Sequence, residues 1–298
     1  MGSQTVAVIG VPSSAGARRR GQERAPEVLR SAGLLERLAS AGIECQDFGD
    51  LAMVRYEYDR DHPKCQNLGL VTAVARQVAD RVEAALKECP KLLVIGGDCT
   101  LTLGVLAGLS RHVHDPGLMY FDGDIDMNTP EDTPSGVLDG MVLAHATGRH
   151  VNELSRIGSS ECLVPDERIV VFGFNVDAGS IDPGELERFE ESPMLRFPAS
   201  HVREGASESA GLALGKLEER AEAFLLHFDV DALDHAEFPA ADVGHPHGIS
   251  VADAVTALRV FWSSPRCVGL VVTEFNPEDD PDGVYAERLA DALIEAMR

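Results

Sequence analysis

The chain has 298 residues, 44% of them apolar and 25% charged, enough to bury a sizeable core in one large α/β domain or two ordinary ones. A formal net charge of -23 is repelled by nucleic acid and by anionic membrane, which excludes non-specific binding to either. No stretch approaches the ~20 uninterrupted apolar residues that span a bilayer, Met1 to Val11 lacks the basic flank of a secretory leader, and six cysteines without a C-x-x-C pair read as reduced thiols of a cytoplasmic protein.

In chain order, residues 6–10 read as a strand ending in a Val-Pro-Ser-Ser loop. Pro26 opens a helix carrying Val28, Leu29, Leu34, Leu35 and Leu38, which ends near Gly42. Residues 68–87 form a long helix with Val71, Val74, Val78, Val82 and Leu86 on one face. Residues 92–95 are a strand too apolar to have an exposed face, and a further helix follows it. Residues 117–121, 169–172, 223–228 and 267–272 are also buried strands, with helices around 210–221, 251–261 and 284–297. Buried strands alternating with helices mean a parallel sheet covered on both faces, a three-layer α-β-α fold. None of the Gly- and Pro-rich loops (131–140, 155–166, 239–247) has the composition of an interdomain linker, so one domain is expected.

Parallel α/β sheets bind ligands beyond the carboxyl ends of their strands, and three of these strands run into reactive side chains. The first gives Gly96-Gly97-Asp98-Cys99-Thr100, the second Phe121-Asp122-Gly123-Asp124-Ile125-Asp126-Met127-Asn128, and the third His227-Phe228-Asp229-Val230-Asp231-Ala232-Leu233-Asp234. Residues i and i+2 of an extended segment point the same way. Asp122 with Asp124, and Asp229 with Asp231, are therefore each expected to present paired oxygens to a common point. Clustered carboxylates repel one another and take up protons unless a cation lies between them, and oxygen donors favour hard divalent ions such as manganese or magnesium. One Asp-x-Asp after a strand is ordinarily a turn former or a cap; two such pairs beside a Gly-Gly-Asp-Cys loop point to metal.

These segments resemble the arginase (ureohydrolase) family over nearly the whole chain. Gly10-Val11-Pro12 with Arg19-Arg20-Gly21, Ala25-Pro26 and Leu29-Arg30 is similar to the family's N-terminal signature. Gly96-Gly97-Asp98 resembles its Gly-Gly-Asp-His loop, and Asp122 to Pro130 its Asp-Ala-His-Thr-Asp-Ile-Asn-Thr-Pro segment. Asp229 to Asp234 and Glu274-Phe275-Asn276-Pro277 resemble the remaining two motifs, in the family's order. The resemblance implies a single domain over residues 1–298 on an eight-stranded parallel sheet, assembled as a trimer or hexamer. It also implies two manganese ions with a bridging hydroxide that attacks a guanidinium carbon. Carried over, Asp122 and Asp229 bridge both metals, Asp126 completes one site and Asp231 the other, and Glu274 holds the guanidino group by charge-assisted hydrogen bonds.

The chain departs from that pattern in three places. Cys99 and Asp124 stand where the resemblance puts two histidine ligands. Extra anionic donors lower a metal's Lewis acidity, and a thiolate shifts preference towards zinc or iron. Two metals with altered preference, one metal, or none are the outcomes left open, and Cys99 reads equally well as a small buried residue with its thiol turned away. Asp139 stands where the family has a proton-shuttling histidine; it serves either as an acid raised by neighbouring charge or as a loop former. His245, in a Gly/Pro loop, is a candidate replacement acid or ligand, whereas His145, His150 and His247 read as structural.

Asn128, Thr133 and Ser135 match the family's α-carboxylate contacts, and Val137 replaces an Asn on the amino side. Asp177 or Asp182 is the candidate for the α-amino group. The leading expectation is hydrolysis of arginine or hydroxyarginine to urea or a substituted urea and an ornithine-like amine. The alternatives are a family member that has lost catalysis and serves in binding or assembly, and an amidinohydrolase for a non-amino-acid guanidine.

Overall fold

The structure is a computed structural model that describes residues 5–298; of the segment read for a leader, residues 1–4 lie outside the described part. Eight strands, β1 (Val6–Gly10), β2 (Cys45–Asp50), β3 (Lys91–Ile95), β4 (Pro116–Phe121), β5 (Ile169–Phe172), β6 (Leu195–Phe197), β7 (Ala223–Asp229) and β8 (Cys267–Thr273), form one sheet. Its order is β2-β1-β3-β8-β7-β4-β5-β6 and every pairing is parallel. The helices are α1 (Ala25–Ser31), α2 (Leu34–Ser40), α3 (Leu68–Leu86), α4 (Leu101–Leu109), α5 (Val142–Ala146), α6 (Pro183–Glu191), α7 (Ala199–Glu204), α8 (Ala206–Glu218), α9 (Val251–Ser263) and α10 (Val284–Met297). Among the described residues no helix is long and apolar enough to cross a membrane.

Continuous apolar runs make the central strands because both faces of a parallel sheet are covered. Alternate residues then feed two cores. Val8, Leu93, Met119 and Phe228 pack with α1, α2 and α7 to α10. Ala7, Val94, Tyr120 and Leu225 pack with α3 to α6. The six strands expected from apolar runs are all present. The two edge strands, β2 and β6, carry polar and half-exposed side chains, so they leave no apolar signature in the sequence. The helix expected from Pro26 to Gly42 is two helices, because Gly33 takes a left-handed φ of 77° that breaks the helical run.

The contiguous run β3-β8-β7-β4 at the middle of the sheet positions the site. The carboxyl ends of these four neighbours carry Cys99, Glu274, the Asp229/Asp231 segment and the Asp122–Asp126 segment respectively. Four motifs separated by up to 175 residues thereby open onto one crevice.

Helices α3 and α4 approach closely enough that a Cβ on Gly104 would lie 2.6 Å from the Ala75 carbonyl oxygen, and one on Gly108 2.7 Å from that of Ala79. A Gly104→Val variant forces these helices apart and is expected to lose about 1–3 kcal/mol, read as a lower denaturant midpoint. An unchanged midpoint would show that the contact is not tight.

Candidate metal centre

The loop after β3 is set by its own backbone. A Cβ on Gly97 would lie 1.7 Å from the Ser13 carbonyl oxygen, so the 13–16 segment can pass only over glycine. Asp98 is buried and accepts hydrogen bonds from the Gly16 N–H at 3.1 Å and the Thr100 N–H at 3.2 Å. It is thus an anchor between two loops rather than a ligand. Cys99 then turns into the crevice, its Sγ 2.7 Å from Asp229 Oδ2 and 3.1 Å from Thr273 Oγ1. The reading of Cys99 as a space filler turned away from the cluster is corrected: the thiol faces the carboxylates.

The Asp-x-Asp pairs are arranged differently from the extended-strand expectation. Asp122 Oδ1 accepts the Asp124 N–H at 2.7 Å, and Asp229 Oδ1 accepts the Asp231 N–H at 2.7 Å. Such side-chain turns end the strand, and after Asp229 the chain winds into a 3-10 turn at Val230–Ala232. The period-2 rule fails where the strand ends. First members of the pairs therefore meet each other, and second members meet each other. Ligand atoms of Cys99, Asp122, His227 and Asp229 lie within 4.8 Å of one another, as do those of Asp124, Asp231 and His245. The Gly123 N–H donates to Asp231 Oδ1 at 3.0 Å, tying the two segments together. Asp126 lines the same cavity, and its Oδ2 accepts a hydrogen bond from the Tyr120 hydroxyl.

Burial, and then the charge of their neighbours, pushes Asp122, Asp126 and Asp229 well above the ordinary carboxylate range. Burial likewise raises the Cys99 thiol. Among the described residues no Lys or Arg forms an ion pair with Asp122, Asp124, Asp126, Asp229 or Asp231. Three buried atoms at the site lack any hydrogen-bond partner: both ring nitrogens of His245 and Oε1 of Glu274. Buried polar atoms are normally paired; these unpaired N and O atoms, beside the converging carboxylates and the Cys99 thiol, fit a divalent metal centre.

Asp126 and Glu274 take left-handed φ angles of 52° and 65°. Non-glycine residues in this region are strained, and such strain is commonly stored at functional sites. Gln22 Nε2 donates to Glu274 Oε2 at 2.6 Å. Asp139 Oδ1 accepts the Cys99 N–H at 2.6 Å, and its carboxyl lies within 4.8 Å of a carboxyl oxygen of Glu274. Burial, followed by the charge of Asp98, raises Asp139 well above the carboxylate range; burial, followed by Asp139 itself, does the same to Glu274.

These groups line a cavity of about 180 Å³ whose walls also include Arg18, Ser135, Val137, Asp242 and Val243. Of the residues matched to substrate contacts, Ser135 faces this cavity. Asn128 and Thr133 are not on its wall, and Thr133 Oγ1 instead accepts the Ser135 and Gly136 N–H groups at 3.2 and 3.0 Å. Asp182 is the N-cap of α6, accepting the Gly184 N–H at 2.8 Å and the Glu185 N–H at 3.3 Å, and Asp177 sits on an exposed turn. Neither aspartate lines the cavity. Sequence reasoning had not singled out Arg18, Asp242 or His227. Arg18 reaches the wall because its Nε and Nη2 hold Asp242 Oδ2 at 3.2 Å and the Asp242 carbonyl at 2.6 Å, a pairing across 224 residues with no local signal. His227 lies inside β7, where no local signal distinguishes it from the apolar run around it.

Residues 4–298 match the model of the Arginase family. The arginase of Bacillus subtilis (strain 168) is 29% identical over 295 residues, 98% of either chain. The crystal structure of arginase from Bacillus caldovelox has a TM-score of 0.90 at 27% identity, covering 99% of this chain and 98% of that one. For the arginase of Bacillus cereus the TM-score is 0.89 at 26% identity, with the same coverage. The chain is therefore a member of the arginase family, metal-dependent amidinohydrolases that act on C–N bonds.

Proposed function

We propose that this chain hydrolyses the guanidino C–N bond of arginine or a close derivative such as hydroxyarginine, releasing urea or a substituted urea and an ornithine-like amine. One observation carries the reading. Glu274 keeps Oε1 buried and unpartnered in the same cavity as the aspartate cluster, while Gln22 occupies Oε2. A guanidinium is a planar donor that satisfies such an oxygen by a charge-assisted hydrogen bond. Similarity to curated arginases over nearly the full length supports the same substrate class.

Asp122, Asp124, Asp126, Asp229, Asp231 and Cys99 would hold the metal, two divalent ions by analogy with the family. Manganese suits the carboxylates, and the Cys99 thiol favours zinc or iron. Bound divalent cations supply Lewis acidity and activate the attacking water. The chain does the rest. Glu274 orients the guanidino group with its carbon towards the aspartates. Val137 and Val243 supply apolar wall to the cavity. As the C–N bond breaks, Asp139 hands a proton to the departing amine, a position secured by the Cys99 N–H. At the rim, Arg18 and Ser135 offer a cation and a hydroxyl to a substrate carboxylate. Six free thiols suit a reducing cytoplasm, and a trimer or hexamer of this single domain is the assembly we expect.

A second reading is favoured by one feature: neither Asp177 nor Asp182 reaches the cavity. A guanidino carboxylic acid without an α-amino group would need neither. Urea release from arginine, hydroxyarginine, 4-guanidinobutyrate and agmatine decides among these. Arginine or hydroxyarginine is expected to lead. Preference for 4-guanidinobutyrate selects the second reading, and preference for agmatine, which has no carboxylate, removes both.

Glu274→Gln is expected to lower kcat/KM by about 10²–10³-fold, since it exchanges the charged acceptor for a neutral amide; wild-type turnover in this variant would remove Glu274 from the mechanism. Mn²⁺ is expected to raise the thermal midpoint and EDTA to reverse the gain, by about 2.7 kcal/mol at a hundred times Kd. Insensitivity of the midpoint to any divalent ion would contradict a metal centre.

A further inference from the structure

The resemblance places two imidazoles in the metal-binding shell at positions 99 and 124, where this chain has Cys99 and Asp124. Two other imidazoles enter the cluster from elsewhere in the fold. We propose that His227 and His245 are metal ligands, restoring from β7 and from the 234–249 loop the two imidazole donors lost at positions 99 and 124. The inference rests on the metal-hydrolase reading and adds to it the identity of the nitrogen donors.

His227 lies within β7, fully buried, on the sheet face that carries Tyr120. Its ring stacks on Tyr120, with centroids 4.3 Å apart and planes 8° from parallel. Nδ1 is 2.7 Å from Thr102 Oγ1. With that hydroxyl accepting the Nδ1 proton, the Nε2 lone pair points into the cluster, the arrangement by which outer-shell partners set the tautomer of a ligating histidine. Nε2 is 3.3 Å from Asp122 Oδ2 and 3.6 Å from Cys99 Sγ.

His245 arrives from the other side. It is 1% exposed, and its Nε2 lies 3.3 Å from Asp124 Oδ2 and 3.4 Å from Asp231 Oδ2. Despite that proximity neither ring nitrogen is aligned for a hydrogen bond. Two donor atoms each about 2.1 Å from one ion, at octahedral to tetrahedral angles, sit ~3.0–3.4 Å apart. The spacing around His245 Nε2 is that of ligands sharing an ion.

A sequence change accompanies this placement. Gly123 stands where the family segment Asp-Ala-His has alanine, and a Cβ on Gly123 would lie 2.7 Å from His245 Cδ2 and 2.9 Å from Asp231 Oδ1. Loss of that methyl group makes the space His245 occupies. The resulting donor sets differ. One combines a thiol, an imidazole and two carboxylates (Cys99, His227, Asp122, Asp229), and the other an imidazole and two carboxylates (His245, Asp124, Asp231). The first suits zinc or cobalt and the second a harder ion.

The test uses the full chain loaded with Co²⁺. Cobalt-edge X-ray absorption of the wild type is expected to show imidazole outer-shell scattering, and elemental analysis after gel filtration two ions per chain. His227→Gln and His245→Gln are each expected to weaken one of two Co²⁺ binding events by roughly 10-fold or more, seen by titration calorimetry. Gly123→Ala should reproduce the His245→Gln effect alone, and the exchange C99H/H227S should return the lost binding event. Two bound ions without imidazole scattering, or histidine variants that bind Co²⁺ as the wild type does, would overturn the assignment and leave the hydrolase reading standing. A wild type that binds no Co²⁺, Mn²⁺ or Zn²⁺ removes both. Should a variant fail to fold, the wild-type spectrum decides by itself.

Discussion

Carboxylates gathered out of water repel one another, and the structure around the crevice is organised by that repulsion. Asp122, Asp126 and Asp229 sit at the ends of adjacent central strands, almost wholly buried, with no Lys or Arg in an ion pair among the described residues. Desolvation alone would drive such groups to take up protons. Protons neutralise them one at a time, whereas a divalent ion neutralises several together and satisfies their lone pairs. Backbone strain at Asp126 and Glu274 lies beside this cluster. It persists because the packed sheet beneath holds both residues where an unsupported chain would relax.

The support is built largely from groups that never touch a substrate. Asp98 pins the 13–16 loop to the end of β3, and Gly97 lets that loop pass. Thr102 holds the Nδ1 edge of the His227 ring and Tyr120 one of its faces, and Gln22 leaves Glu274 a single free oxygen. Each is an ordinary hydrogen bond or contact worth about 1 kcal/mol. Together they support two clusters, seven ligand-type side chains in all, within each of which the ligand atoms lie within 4.8 Å of one another. Charge around the cavity is then divided by position: the aspartates and Cys99 at the sheet, Asp139 and Glu274 at the wall, and Arg18 held at the rim by Asp242.

The departures from the family pattern form a connected set. Histidine is absent at 99 and 124, present at 227 and 245, and Gly123 is the small residue that the last of these needs. Read singly, each change suggests decay of a metal site. Seen in space, they bring candidate donors together from different strands, one group with a thiol and the other without.

The chain's linear pattern was sufficient for the six inner strands and the long helices, because strands buried on both faces must be uniformly apolar. It also marked Asp122, Asp126, Asp229, Asp231 and Glu274, because these follow such strands in recognisable motifs. The edge strands β2 and β6 lacked that signature, being half exposed, and Gly33 divided a helix that apolar periodicity had run together. Whether Cys99 faced the cluster, how the Asp-x-Asp pairs divided, that Asp182 is a cap, and that His227 and Arg18 belong to the site were decided only in three dimensions. Those facts depend on pairings across tens to hundreds of residues and on the way a chain turns after its strand ends. Local propensity determines which segments become strands; only their packing order determines which side chains share a cavity.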